Sequence, residues 1–555
     1  MNVLLDGFSR LAFCVAVGGL VWYWVLRSIE YHGTHDLVLT PHALALTAWS
    51  AFALAGSQGL LLIVKAWTLA QTLDGPVFTS FIHTTQFQAR LAQAIVSCGL
   101  GVAARRFGRA PLETRAWGLT AMLAIGVIGS GAWLTHAAGR YDARAWLMTL
   151  TSLHQVGAAC WVGGVIGLAW TWRVMRRYPA LSGLWAPLVR RFSFVGGAAV
   201  TMLLLSGLGL ARDFIGSWAG LVGTAYGVLL IGKLVLIGGA LGLAALNFLA
   251  GRRQADGRLA TAVPYYIEAE SMLLLVILLT ATSLSSQAPS RDIVQERASW
   301  TEVVNAIRLH APTLASPSLA EVNAEDAARS IVSGGDTPAN IAWSEYNHNV
   351  AGLFVTSLGV LGLMALRWPG SLARHWPLGF VPLAFFLGAR SDPDTWPLGT
   401  VGFWEGTFGS METLQHRLAV LVALALGLME WRSRLRTSGN SRWAWAFPGL
   451  ALFGGMLLLT HSHATFERKE EFLIQLSHNV IGVLAVFLGC CRLLELRLRN
   501  RGVLAGATAM VCMIGIGLML LGYREPAVPH NTVERTPIEH PLPHPSPPPG
   551  VISPS

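Results

Sequence analysis

The chain has 555 residues, of which 53% are hydrophobic and 13% are charged, against about 25% charged residues in a typical soluble domain. A soluble fold of this length could not bury so much apolar surface. The net charge of +10 does not indicate nucleic-acid binding, because the arginines lie in short loops between apolar runs and not on one face or in one tail. The composition therefore predicts a membrane protein that contacts lipid and no nucleic acid.

Apolar runs of roughly 16 to 25 residues recur along the chain, and about 20 residues at 1.5 Å rise cross the core of a bilayer. Lipid offers the backbone no hydrogen-bonding partners, so each run is predicted to be a helix. We predict an all-α polytopic membrane protein with about fourteen transmembrane helices. They lie near residues 8–26, 44–65, 86–103, 118–137, 152–172, 192–211, 225–249, 269–285, 348–366, 376–389, 414–431, 444–460, 478–494 and 503–522.

Four regions follow from these runs. Residues 1–285 form a membrane domain of about eight helices, and residues 348–522 form a second one of about six. Between them, residues 286–347 are polar, with short amphipathic stretches at 299–309 and 319–332. Residues 523–555 are rich in proline and are expected to be a disordered tail.

The arginines also predict the orientation, because Lys and Arg prefer cytoplasmic loops. The loop after the third predicted helix carries four arginines between residues 105 and 115, and the loop after the fifth carries five between residues 173 and 191. If these loops face the cytoplasm, both termini and residues 286–347 face the outside. We expect a multi-pass protein of a bacterial inner membrane with both termini in the periplasm.

The two membrane domains share a pattern of histidines. The sequence at residues 133–136 is similar to that at 458–461, and a further histidine lies 18 residues after His136 in the first case and 17 residues after His461 in the second. His83 and His416 precede these motifs in the same order. Two interpretations remain open, chance similarity of apolar segments and two parallel six-helix repeats joined by the seventh and eighth helices.

Eight histidines lie at or just beyond the predicted outer ends of helices, on one side of the membrane. Imidazole binds Cu, Zn, Fe or Ni at neutral pH, and helix bundles build such sites from facing helices. We predict that those of the second domain converge on one metal ion. The candidate ligands are His83, His136, His154, His348, His416, His461, His463 and His478.

The identity of the metal stays open at this level. Cu(I) favours soft donors, yet the sequence has no cluster of methionines, and imidazole suits Cu(II) or haem iron at least as well. Cys160 lies about 1.7 turns after His154, so the two do not share a helix face unless the helix is distorted.

Lys233 is predicted to lie inside the seventh helix, about 12 Å from its outer end by helical rise. A charge at that depth is costly unless it faces a cavity or a partner. It either lines a transport pathway or has a structural role. Motifs of ATP-driven pumps and of hydrolases are absent from the sequence, so we do not expect an enzyme.

The chain resembles the bacterial copper resistance protein D (CopD) family, in an extended form with additional C-terminal membrane helices. The similar segments of the first half are residues 153–164, 191–193, 205–207 and 226–233. Those of the second half are residues 343–348, 414–417, 459–463, 476–478 and 494–497.

The resemblance implies copper transport or uptake across the inner membrane in copper homeostasis and resistance, beside a periplasmic copper-binding partner similar to CopC. It carries over six candidate ligands, His154, His348, His416, His461, His463 and His478. The ligands do not continue toward the cytoplasmic side in the sequence. A membrane redox protein that binds b-type haem is therefore the alternative.

Overall fold

The structure is a computed structural model, and it describes residues 2–30, 39–72, 77–109, 114–252, 261–329, 337–435, 442–460, 468–498 and 502–525. These residues form helices and loops, with one isolated β-bridge between Thr395 and Val401. The all-α architecture is confirmed.

A helix occupies each of the fourteen predicted positions. In chain order they are α1 (Asn2–Glu30), α2 (Leu39–Thr72), α3 (Thr85–Phe107), α4 (Thr114–Ala132), α5 (Arg144–Met175), α6 (Trp185–Ile215), α7 (Ala225–Arg252), α8 (Val263–Ser286), α9 (Pro338–Arg367), α10 (Phe380–Arg390), α11 (Met411–Leu435), α12 (Ala446–Leu459), α13 (Arg468–Leu498) and α14 (Val503–Leu521).

Ten of these helices are long and apolar enough to cross a membrane, and two shorter apolar helices, Ala116–Ala132 and Trp443–Leu459, accompany them. The other two are α10 and α11. α10 has only 11 residues and follows a 3-10 segment, Leu372–Gly379, that contains Pro377. Pro382 lies in the first turn of α10, where a helix tolerates the missing N–H group.

Several helices begin earlier than the apolar runs suggested. Thr337 accepts a hydrogen bond from the Asn340 N–H, and Pro338 occupies the first turn of α9, which is a favourable start for a helix. The polar region between α8 and α9 therefore ends near residue 337 and not at 347. It contains the two predicted amphipathic stretches as short helices, Trp300–Ile307 and Leu319–Arg329.

The predicted start of the tail at residue 523 is also too early. Tyr523 is 5% exposed, and Arg524 forms an ion pair with Glu345 at 2.6 Å. These contacts attach the end of α14 to α9. Residues 526–555 lie outside the described part of the chain.

The two halves of the chain pack against each other along α7, α8 and α13. The Asn479 side chain donates a hydrogen bond to the Val228 carbonyl at 2.9 Å, and Arg497 binds Glu268 through two contacts of 2.7 and 2.8 Å. Buried residues of α12 and α13, including Leu452 and Val486, belong to the same core as α1 and α8. The division into two membrane domains stays a prediction, and so does the repeat.

Two pairs of glycines bring helices into backbone contact. A side chain at Gly18 of α1 or Gly163 of α5 would collide with the backbone of the other helix, and the same holds for Gly352 of α9 and Gly517 of α14. Close packing through small residues is how membrane helices associate. The first pair holds α1 against a π-helical turn of α5, Ala159–Gly163, and the second holds α9 against α14.

Candidate metal centre

His348 of α9 and His478 of α13 face each other near one end of the bundle. Their ring centroids are 6.0 Å apart and their planes are inclined at 87°. A metal ion binds imidazole nitrogen at about 2 Å, so an ion between two rings at this separation could contact both. Among the predicted ligands that the structure describes, this pair is the one in direct ring contact.

Each of these rings is anchored in the same way. The Nδ1 atom of His348 lies 2.8 Å from the Ser344 carbonyl oxygen, and the Nδ1 atom of His478 lies 3.0 Å from the Ile474 carbonyl oxygen. A carbonyl can only accept, so Nδ1 carries the proton and Nε2 is the unprotonated nitrogen of the neutral ring. Anchoring of one ring nitrogen is typical of histidines that bind metals through the other.

The pair is covered by Tyr523 and lies at the contact between the two halves of the chain. The Tyr523 ring lies 4.4 Å from the His348 ring. Asn479, next to His478, contacts α7 through Val228 and Gly232. His478 is 8% exposed, so these neighbours restrict access of water to the pair.

His416 of α11 lies in a different environment. Its Nδ1 atom is 3.0 Å from Oδ1 of Asp392, which also accepts a hydrogen bond from the Thr413 hydroxyl at 3.2 Å. The pair lines a small cavity with Trp396 and Arg417. This arrangement of carboxylate and imidazole resembles the outer hydrogen bonds of metal-binding histidines.

Among the described residues, no contact joins His416 to the pair of His348 and His478, and the predicted convergence of the second-half histidines stays a prediction. α11 packs against α10 and α12, whereas His348 and His478 meet beside α14. His461 and His463 lie outside the described residues. Within the described ranges, no three His, Cys, Asp or Glu side chains form a group able to hold a metal ion.

In the first half, His154 and Lys233 lie close together. His154 is 3.2 Å from the Ser206 hydroxyl through Nδ1, and the positive charges of Lys233 and Arg10 act on its ring. Lys233 has no ion pair with any carboxylate that the structure describes. Two positive charges beside an imidazole oppose the binding of a metal cation there.

The remaining first-half candidates are separate from this group. His136 begins a short 3-10 segment and packs edge-on against Phe214, with 6.2 Å between ring centroids. Burial lowers the pKa of the His136 imidazole, and a hydrogen bond to the Ser285 backbone opposes that effect. His83 is exposed in the turn before α3. We find no contact that joins either residue to another candidate ligand within the described ranges.

The depth of three candidates corrects the expectation that they lie at helix ends. His154, His348 and His478 each lie ten residues after the first residue of their helix, Arg144, Pro338 and Arg468 respectively. At 1.5 Å per residue this is about 15 Å along the axis. The first turns of α9 and α13 contain polar and charged residues, so hydropathy did not assign them to the helices.

Sequence reasoning missed two buried acidic sites away from the histidines. Glu270 of α8 is 3% exposed and accepts hydrogen bonds from Trp161 and Asn247. Glu430 of α11 is fully buried and binds Arg434 and Arg492 at 2.7 and 2.8 Å. The position of each acidic residue within an apolar run could have revealed these sites in the sequence. A charged residue at membrane depth indicates either a functional role or an ion pair.

Comparison with protein families gives one match. Residues 186–284 match the family model of copper resistance protein D. Searches of curated proteins and of solved structures found no significant match.

The matched region consists of α6, α7 and α8. It includes Ser206, Lys233, Asn247 and Glu270, whereas His348, His416 and His478 lie beyond it. The copper connection therefore rests on the first half of the chain, and the histidine pair adds a metal-binding geometry in the second. Residues 186–284 of this polytopic membrane protein are thus similar to the copper resistance protein D family.

Proposed function

We propose that the protein transports copper across the bacterial inner membrane and so contributes to copper homeostasis and resistance, with His348 and His478 as the outer copper ligands. The observation that carries the proposal is the pair of anchored imidazole rings 6.0 Å apart. The match to a copper resistance family supports copper as the metal. Copper is here the transported substrate.

The first half then serves a different purpose from the second. Lys233 lies beside His154 and repels cations, which argues against a copper site at that point. We propose that Lys233 gates the route through the membrane, and that a periplasmic copper-binding protein similar to CopC delivers the metal to the outer face.

Copper binding by purified protein tests the ligand assignment. We expect the double variant His348→Ala/His478→Ala to lose at least about tenfold in copper affinity, measured by equilibrium dialysis. His310→Ala is the matched control, because His310 is an exposed histidine outside the pair. Copper binding of the double variant at the affinity of the unmodified protein would contradict the assignment.

Two further measurements test transport itself. Proteoliposomes that contain the unmodified protein should accumulate copper, and the double variant should reduce the initial rate. An optical spectrum of the same preparation tests the alternative, because a b-type haem gives sharp bands on reduction. Stoichiometric haem without copper flux would replace the transport proposal by a redox function.

A further inference from the structure

Glu270 is a carboxyl group inside the bundle with neutral hydrogen-bond partners. It lies seven residues after Val263, the first residue of α8, or about 10 Å along the axis. The Trp161 indole N–H donates to Oε1 at 2.9 Å, and the Asn247 side chain donates to Oε2 at 3.0 Å. Neither donor carries a charge that could neutralise a carboxylate.

Within the described residues, no cationic side chain of the helices around α8 forms a hydrogen bond or ion pair with Glu270. On α1, Arg10 donates to Ser285 and Arg27 donates to Tyr23; on α5, Arg144 lies over the Tyr141 ring and Arg173 binds Glu268. On α13, Arg497 binds Glu268, Lys469 binds Glu302, and Arg492 binds Glu430 and Glu495. The charge of Lys233 on α7 acts electrostatically on the His154 ring.

The other titratable side chains of these helices do not contact the Glu270 carboxyl group within the described residues. Its hydrogen bonds go to Trp161 and Asn247 alone. The side chains concerned are Asp6, Cys14 and Tyr23 of α1, His154 and Cys160 of α5, Tyr226 of α7, Tyr265, Tyr266 and Glu268 of α8, and His478, Cys490, Cys491 and Glu495 of α13.

An isolated carboxylate at this depth is costly, because neither lipid nor an apolar core solvates the charge. Two hydrogen bonds from neutral groups offset only part of that cost. The charge is removed either by a bound cation or by a proton. A metal ion is a poor occupant, since the structure places no third acidic, histidine or cysteine ligand here within the described ranges.

Asn247 can serve both protonation states of the carboxyl group. Its amide is 7% exposed, and its Oδ1 atom is buried without a hydrogen-bond partner. The two ends of an amide have nearly the same shape, so rotation by 180° exchanges nitrogen and oxygen. In one orientation the amide donates to an ionised Glu270, and in the other it accepts from a protonated Glu270.

Trp161 owes its position to a local irregularity of α5. It lies in the π-helical turn Ala159–Gly163, which Gly18 and Gly163 hold against α1. Such turns often occur at functional sites, because the extra residue redirects side chains. Here the redirected indole faces the one buried acid of α8 that has no cationic partner among the described residues.

We propose that Glu270 is a reversible proton-binding site in the membrane interior, with Asn247 switching between donor and acceptor as the proton leaves and returns. The proton transfers from water to a carboxylate oxygen and back, with no other bond changed. A part for this proton in driving copper movement would rest on the proposed function, but the site itself does not depend on it.

Infrared difference spectroscopy of the purified protein between acidic and alkaline buffer tests the site. We expect the carbonyl stretch of a protonated carboxyl group, shifted by deuterium, and its loss in Glu270→Gln. Gln can mimic the protonated group, because its amide donates to Asn247 while its oxygen accepts from Trp161. Glu270→Asp should restore a titrating band, and Glu268→Gln should leave it unchanged, because Glu268 is paired with Arg497.

The outcomes separate this proposal from the proposed function, since the spectra require no copper. An unchanged band in Glu270→Gln, or its loss in Glu268→Gln with Glu270 intact, would overturn the assignment. If Glu270→Gln does not fold, Glu270→Asp provides the test, because a shorter acid must change both the position of the carbonyl band and the midpoint of its pH titration. A band in Glu270→Asp that is identical to that of the unmodified protein in both respects would also overturn the assignment.

Discussion

At the scale of single residues, charge inside the bundle is neutralised in two different ways. Glu430 is fully buried and receives Arg434 and Arg492 on the same oxygen, Oε1, while Arg492 also binds Glu495 at 2.6 Å. Glu270 has only neutral donors. The first arrangement favours a permanent ion pair and the second favours exchange of a proton, so the same residue type has two roles in one bundle.

Removal of the Glu430 charge should therefore be costly. We expect Glu430→Gln to lower the free energy of unfolding in detergent by about 3 to 5 kcal/mol, because it leaves the Arg434 guanidinium without its carboxylate and Arg492 with Glu495 alone. Asp292→Asn is the control, since its pair with Arg140 is partly exposed, at 42% and 30% of the two side chains, and such pairs contribute less than about 1 kcal/mol. Equal losses in the two variants would contradict a neutralising role for Glu430.

At the scale of helices, the position of the histidine pair depends on how closely α9 and α14 approach. Gly352 and Gly517 allow backbone contact between them, and that contact places Tyr523, just after α14, on the His348 ring. A side chain at either glycine would push the helices apart. The histidine pair is thus positioned by small residues that have no chemistry of their own.

Gly352→Leu should separate α9 from α14 and weaken copper binding at His348 by about tenfold or more, since misplaced ligands lose metal affinity. The matched control is Gly449→Leu, because Gly449 is a glycine of α12 with open space around its Cα. Copper titration of both variants gives the comparison. Full affinity in Gly352→Leu would show that the close helix contact does not position the ligands.

At the scale of the whole molecule, the two halves form a single packed body. Asn479 beside the histidine pair contacts α7, the helix that also carries Lys233. At the other end of α13, Arg497 binds Glu268 of α8 and lies over the Trp445 ring at 3.9 Å. Movement of one half against the other would therefore alter the surroundings of His478 and of Lys233 together.

The predicted orientation can be tested by labelling. In a cysteine-free variant, Ala315→Cys should react with an impermeant thiol reagent in intact spheroplasts, because Ala315 is exposed in the external region. Gly183→Cys, in the arginine-rich loop between α5 and α6, should react only after permeabilisation. The reverse pattern would invert the topology and place His348 and His478 at the cytoplasmic side.

The sequence by itself determined the all-α fold class, the approximate positions of the helices and the similarity to the copper resistance protein D family, because hydropathy and local motifs depend on neighbours along the chain. It did not determine the true helix starts at Arg144, Pro338 and Arg468, and at the last two of these polar first turns conceal the helix. Only the tertiary structure decided that His348 meets His478 and that His416 binds Asp392. It also decided that Glu430 finds two arginines and Glu270 finds none, because these contacts depend on which helices become neighbours and on the glycines that let them approach.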